Sequence, residues 1–243
     1  MDTEPDKSQW KQRTETLYGT ERMERLAAAH VLVVGLGGVG AYALEMLCRA
    51  GVGRFTIIDA DTVSVSNINR QLPALHSTIG QPKATLLAER MQDINPQIVI
   101  DARIQFVTPD NIPSLISNIS PDFVVDAIDT VRSKCSLIEE CLTNNIPIVS
   151  AMGAGAKTDI SRIRCTDISK TTQCALAKAV RQTLRQEGFG HHRLPVVFSD
   201  EPVQRHAIVP VSGEPGKRST TGTVSYLTAT FGNYLAWYVL ENL

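Results

Sequence analysis

An α/β fold, with a doubly wound, mainly parallel sheet and an antiparallel C-terminal extension, is what this 243-residue sequence predicts. Three observations predict it. Between His30 and Ala151, short apolar runs alternate with segments of helical period, as in a parallel sheet covered by helices on both faces. The first run stops at Gly35-Leu36-Gly37-Gly38-Val39-Gly40, a strand-to-helix turn of the Rossmann-like kind. After Gly155 the pattern shifts to alternating strands and polar loops, which suits antiparallel pairing.

The elements follow in order. Residues 1–12 are expected to be a flexible arm, and residues 13–243 a single domain. Thr20 is placed to cap a helix over residues 20–29. His30 to Val34 is a buried strand, Gly38 to Ala50 a helix ended by Gly51, and Arg54 to Asp59 the second strand. Lys83 to Ile94 is a helix that stops at Asn95-Pro96. Strands at 98–104, 123–128 and 147–151 alternate with helices at 109–119 and 132–143. In the extension, residues 160–165 form a strand, 173–186 a basic helix, and 195–198 and 207–211 short strands. Residues 213–221 form a loop. Residues 222–240 carry no charge, but their Asn, Thr and Gly content makes them a core helix rather than a bilayer span.

Bulk properties narrow the function classes. Hydrophobic residues make up 43% and charged residues 20% of the chain, which is ordinary for a globular protein. The formal net charge of −1 gives no argument by itself for a nucleic-acid partner. Five cysteines occur without a C-x-x-C pair, which speaks against a four-cysteine zinc site and for a reducing, cytoplasmic setting. The polar, acidic first ten residues do not read as a secretory or mitochondrial presequence.

The candidate site runs along the first half. Gly35 permits the tight turn, Gly37 and Gly38 let the backbone approach a ligand, and Gly40 lets helix and strand pack closely. Asp59, ending a strand, suits a ribose hydroxyl pair of NAD, FAD or ATP. Asp61 either joins it or is a solvated turn residue. Asn67, Asn69, Arg70 and Gln71 form a dense polar cluster. Arg70 and Lys83 are the cations nearest this crevice in sequence. At an effective dielectric of about 20, each could attract a phosphate by about 4 kcal/mol at 4 Å before desolvation. Lys83 opens a helix, where the dipole disfavours a cation, so either a ligand or the surface accounts for it. Asp129, past the fourth strand, is either a Mg²⁺ ligand or a helix N-cap. On the basic helix Lys178, Arg181 and Arg185 share one face, as a phosphate-backbone footprint or a solvated face. Cys174 falls within that helix, either as a reactive thiol near the site or as a buried or half-exposed helix cysteine.

Taken together, G-x-G-G-x-G, Asp59-x-Asp61, Asn67-x-Asn69-Arg70-Gln71, Lys83 and Asp126-x-x-Asp129 resemble the ubiquitin-activating-like adenylyltransferase family. The resemblance implies a homodimer, Mg-ATP, and adenylylation of a carboxylate with release of pyrophosphate. It implies that Asp59 holds the ribose, that Asn67, Arg70, Lys83 and Arg13 handle phosphates, and that Asp129 holds the metal. Arg13 would reach the partner subunit's ATP. The segments Ala151–Gly155, Asp167–Thr171 and Val197–Pro202 are similar to one branch, the tRNA threonylcarbamoyladenosine dehydratases. In that branch the threonylcarbamoyl carboxylate beside the anticodon is adenylylated, and an intramolecular attack closes a ring and expels AMP. The chain departs from the branch at Cys174-Ala175-Leu176, where Asp-Pro-Leu is usual. That thiol keeps a second expectation open: an activator of a sulfur-carrier protein ending in Gly-Gly, with a sulfur-transfer protein as partner. A non-catalytic NAD-binding module is the third.

Overall fold

The computed structural model describes residues 7–210 and 219–243. Its main sheet has the order β3-β2-β1-β4-β5-β7-β6, with β1 His30–Val34, β2 Arg54–Ile58, β3 Val99–Arg103, β4 Phe123–Asp126, β5 Ile148–Ala151, β6 Ile163–Asp167 and β7 Pro195–Ser199. Every pairing in it is parallel except that of β6 with β7. The mainly parallel sheet with an antiparallel C-terminal extension is as the sequence predicts. β7 returns to the sheet beside β5, and only the edge strand β6 and a separate hairpin, β8 Ile208–Pro210 with β9 Ser219–Thr221, run antiparallel.

Two apolar layers close on the two faces. Val31 and Val33 of β1 point into one, Leu32 and Val34 into the other, as the period of two requires. The first layer is built with α2 Thr20–Ala28, α3 Gly40–Ala50, α4 Lys83–Ile94 and α8 Ser225–Leu240. The second is built with α5 Ile112–Ile119, α6 Val131–Thr143 and α7 Ala175–Gln186. Phe55, Phe123 and Phe231 are fully buried, and each such side chain contributes about 1.5–3 kcal/mol of transfer free energy. α8 is the uncharged C-terminal stretch, and it packs on α3. Among the described residues, no helix is long and apolar enough to cross a membrane.

One helix end, the arm and the late loop differ from expectation. Gly19, not Thr20, occupies the N-cap of α2, and no side chain caps it. Residues 1–6 of the expected arm lie outside the described residues. Lys7–Lys11 form a 3-10 turn leading into a helix, α1 Gln12–Tyr18. The expected loop over residues 213–221 lies outside the described residues as far as Arg218, and Ser219–Thr221 are strand.

Candidate active site

The carboxyl edge of the sheet opens into a cavity of about 480 Å³, where open α/β sheets place their ligands. Its first wall is the glycine loop after β1. Gly35 has φ +88°, and a Cβ there would lie 2.7 Å from the carbonyl oxygen of Ala127. A Cβ on Gly40 would lie 1.8 Å from the Gly35 carbonyl oxygen. Both positions therefore exclude any side chain. Gly35, Gly37 and Gly38 line the cavity, and Gly40 supports them from behind. The N-cap of α3 is Val39, which supplies no side-chain acceptor, so the positive end of the helix is available to an anion.

Asp59 follows β2. Its carboxylate accepts hydrogen bonds from Leu36 N at 2.6 Å and Asp61 N at 2.8 Å, so it braces the glycine loop while lining the cavity. Asp61 also lines the cavity and pairs with Lys83, whose Nζ lies 2.8 Å from Oδ2. Lys83 is only 4% exposed, whereas the Asp61 side chain is 62% exposed. The unfavourable helix-start position of Lys83 is thus offset by a carboxylate from the neighbouring loop. Among the described residues, one of its three donors is engaged.

The polar cluster divides its labour. Asn67 Oδ1 accepts from Ser64 N at 3.1 Å, and Asn69 Nδ2 donates to the Thr223 carbonyl at 3.1 Å. These two asparagines shape the loop and do not line the cavity. Arg70 and Gln71 do line it. Asn69 Oδ1 and the Ser66 carbonyl hold one Arg70 nitrogen, at 2.8 and 2.9 Å. Gln71 Oε1 is buried without a hydrogen-bond partner, an acceptor left for a ligand donor.

Asp129 lines the far wall, exposed, and among the described residues only the Thr130 hydroxyl donates to it, at 3.4 Å. Thr130, not Asp129, takes the N-cap position of α6. Asp126 is different: it is fully buried and accepts from Lys134 Nζ at 2.6 Å, Ser150 Oγ at 2.6 Å and Ile128 N at 3.0 Å. Lys134 Nζ also donates to Ser150 Oγ and the Ala151 carbonyl. This closed network ties the ends of β4 and β5 beneath the cavity. Sequence reasoning missed Lys134, although an aspartate in an apolar strand signals that it needs a partner. It also missed Phe106, 74% exposed in the cavity wall just past β3. An aromatic residue in a post-strand loop was the available signal.

Several expected residues lie outside the cavity. Arg13 is exposed on α1 and makes no hydrogen bond or ion pair among the described residues. Lys178 and Arg185 are exposed on α7. Arg181 is half-buried and donates to the carbonyls of Ile168 and Thr171 and to the Thr171 hydroxyl. Cys174 is 8% exposed and is the N-cap of α7, its sulfur accepting from Ala177 N at 3.5 Å. Beside it, Lys157 donates to the carbonyls of Gln173 and Ser199 at 3.1 and 2.5 Å, and burial lowers its pKa. Burial pushes the Cys48 thiol up to about 12, and those of Cys135 and Cys165 up to about 11. These three thiols are therefore poor nucleophiles.

The ThiF family model matches residues 11–242. The chain belongs to the ThiF family. Among ThiF-family proteins, tRNA threonylcarbamoyladenosine dehydratase of Haemophilus influenzae is 38% identical over 240 residues, spanning 93% of this chain and 90% of that protein. The crystal structure of Escherichia coli tRNA N6-threonylcarbamoyladenosine dehydratase in complex with ATP matches with a TM-score of 0.85 at 38% identity, covering 96% of this chain and 93% of that one. The same enzyme in complex with AMP matches with a TM-score of 0.86 at 36% identity, covering 100% and 97%. The likeness thus extends through the segments after Gly155 and is not confined to the glycine loop.

Proposed function

We propose that this ThiF-family chain is an ATP-dependent dehydratase that cyclises N6-threonylcarbamoyladenosine beside the anticodon of tRNA. The observation that carries the reading is the cavity at the carboxyl edge of the sheet. It gathers the glycine loop, Asp59, Asp61, Arg70, Gln71, Lys83 and Asp129, in a chain similar along its length to dehydratases of that name.

The chemistry follows from the groups present. A carboxylate is a poor electrophile, so it must first be converted to a mixed anhydride. The threonylcarbamoyl carboxylate attacks the α-phosphate of ATP, and pyrophosphate leaves. An atom of the same side chain then attacks the activated carbonyl, closing the ring and releasing AMP. Ring closure is intramolecular and gains from a high effective molarity. Asp59 has lone pairs left for the ribose hydroxyls after accepting from Leu36 and Asp61. Lys83 and Arg70 offset the charge on the phosphates, and the α3 N-terminus adds its dipole. Asn67 and Asn69 act by shaping the loop that presents Arg70 and Gln71. Asp129 fits Mg²⁺, since it is a free carboxylate at the phosphate end and this ion takes one or two protein ligands with phosphates and water. When bound, Mg²⁺ would neutralise phosphate charge. Arg13, exposed and outside the cavity of its own chain, acts on the ATP of a second copy, which makes the enzyme a cytoplasmic homodimer. Lys178, Arg181 and Arg185 contact the tRNA backbone.

The carrier-protein reading would draw on Cys174. That thiol is buried and already engaged as a helix N-cap acceptor, and it lies outside the cavity, so this reading takes second place. AMP formation by the purified protein should depend on tRNA bearing threonylcarbamoyladenosine. Equal AMP production with unmodified tRNA would sink the proposal. In calorimetric titration ATP should bind in preference to NAD, and the opposite order would indicate a redox-cofactor module.

A further inference from the structure

A second cavity, of about 300 Å³, lies at the other end of α7. β7 begins at Pro195 and runs parallel to β5, so the residues just before it sit at the amino edge of the sheet, opposite the nucleotide site. α7 joins the two places. Leu176 near its start lines the first cavity, and Arg181 and Arg185 line the second. From Leu176 to Arg185 is about 14 Å along the helix axis at 1.5 Å per residue, or about four steps of a stacked nucleic-acid strand at 3.4 Å each.

The second cavity is cationic and lined by rings. Arg181, Arg185 and Arg193 contribute to its wall, with His191, His192 and Phe189. Arg185 and Arg193 are exposed, and neither makes a hydrogen bond or ion pair among the described residues. The one carboxylate in the wall, Asp167, already accepts from Ser169 N, Ser169 Oγ and Leu194 N. Among the described residues it forms no ion pair with the arginines, and the Arg193 charge is only a minor cause of its lowered pKa. The rings form a tilted cluster, with centroids 5.5 Å apart at an interplanar angle of 39° for Phe189 and His192, and 4.2 Å apart at 41° for His191 and His192. Free guanidinium groups beside exposed rings such as His191 and His192 are what RNA-binding surfaces use to hold a phosphate and an unstacked base.

We infer that this cavity is a second contact point for RNA, in which Arg185 and Arg193 hold backbone phosphate and the His191–His192 pair stacks a base. It rests on the tRNA reading above and adds a site at the far edge of the sheet. An RNA lying along the basic face of α7 would engage both cavities at once. This gives the chain a local footprint for RNA despite its net charge of −1.

The test is an Arg185→Gln/Arg193→Gln double variant and a separate His192→Ala variant. tRNA binding is measured over a range of salt, with the steady-state kinetics of AMP formation and an ATP titration without RNA. The double variant should raise Kd and KM for tRNA roughly tenfold or more, with little change in kcat. Its log–log salt slope should be shallower by about 0.7–0.9 for each phosphate that the protein no longer neutralises. His192→Ala should weaken binding at an unchanged slope, because stacking releases no counterions. Wild-type tRNA affinity and slope in the double variant would overturn the inference. So would loss of ATP binding instead of RNA binding, which would make the cavity a structural support. A wild-type protein that neither bound nor turned over the modified tRNA would remove the proposed function itself, and this inference with it.

Discussion

At the scale of single residues, the site couples charge to structure. Lys83 is buried against a carboxylate that is mostly in water, which leaves two of its donors free among the described residues. Replacing Lys83 with Met should cut the rate of AMP formation by about 10²–10³-fold, the usual loss for one preorganised donor. The melting temperature should move little, because Asp61 can be solvated. A variant with near-normal turnover would remove Lys83 from the chemistry. His30 gives a pH signature in the core. It is buried, its Nε2 lies 3.0 Å from Thr56 Oγ1, and burial together with the nearby Arg54 charge lowers its pKa below 6.5. Between the two pKa values the unfolded chain binds more protons than the folded one. Stability should therefore fall as pH drops below about 6.5, until the folded-state pKa is passed. Urea midpoints at about pH 7.5 and about pH 5.5 should differ less in His30→Gln than in the wild type. Equal differences would assign the acid sensitivity elsewhere.

At the scale of elements, α8 shows how packing reaches the site. A Cβ on Gly232 would lie 2.6 Å from the Val39 carbonyl oxygen and 2.7 Å from Tyr42 Cβ. The glycine therefore lets α8 lie directly on the start of α3. Gly232→Ala should destabilise the fold by about 1–3 kcal/mol through overpacking. It should also raise KM for ATP, since Val39 belongs to the nucleotide wall. Denaturation with a parallel ATP titration checks both, and an unchanged midpoint would refute the close approach of the two helices. The strands and helices from His30 to Ala151 were legible because their apolar runs and glycine stops are local. The return of β7 to a parallel position was not, because neighbour choice in a sheet is set by distant packing. Thr20 misled for a related reason: Gly19 ends one helix and begins the next, and takes the cap position first. Asp59 and Lys83 were legible as residues lining this cavity from their places at a strand end and a helix start. Their partners Leu36 and Asp61 were less so, since a hydrogen bond between loops leaves no periodic trace.

At the scale of the whole molecule, the placement of Arg13 is the point to test. It projects from α1 and takes no part in the cavity of its own chain. If it serves a second copy, Arg13→Ala should slow AMP formation by about 10³–10⁵-fold, as trans-acting arginines do in other phosphoryl enzymes. Mixing Arg13→Ala with Lys83→Met should then restore activity through hybrid dimers that hold one intact site. A mixture as inactive as its components would place Arg13 in cis or outside the reaction. The glycine loop carries a different consequence at this scale. Gly35 and Gly40 are held against each other and against the strand beside them, so the packing that shapes the nucleotide wall also closes the fold. Selection for abundance and selection for catalysis cannot be separated at these two positions. They can be at Asp129, whose carboxylate touches little else. If Asp129 holds the metal as proposed, a lineage could shed its reaction there and keep the protein, but never through the loop.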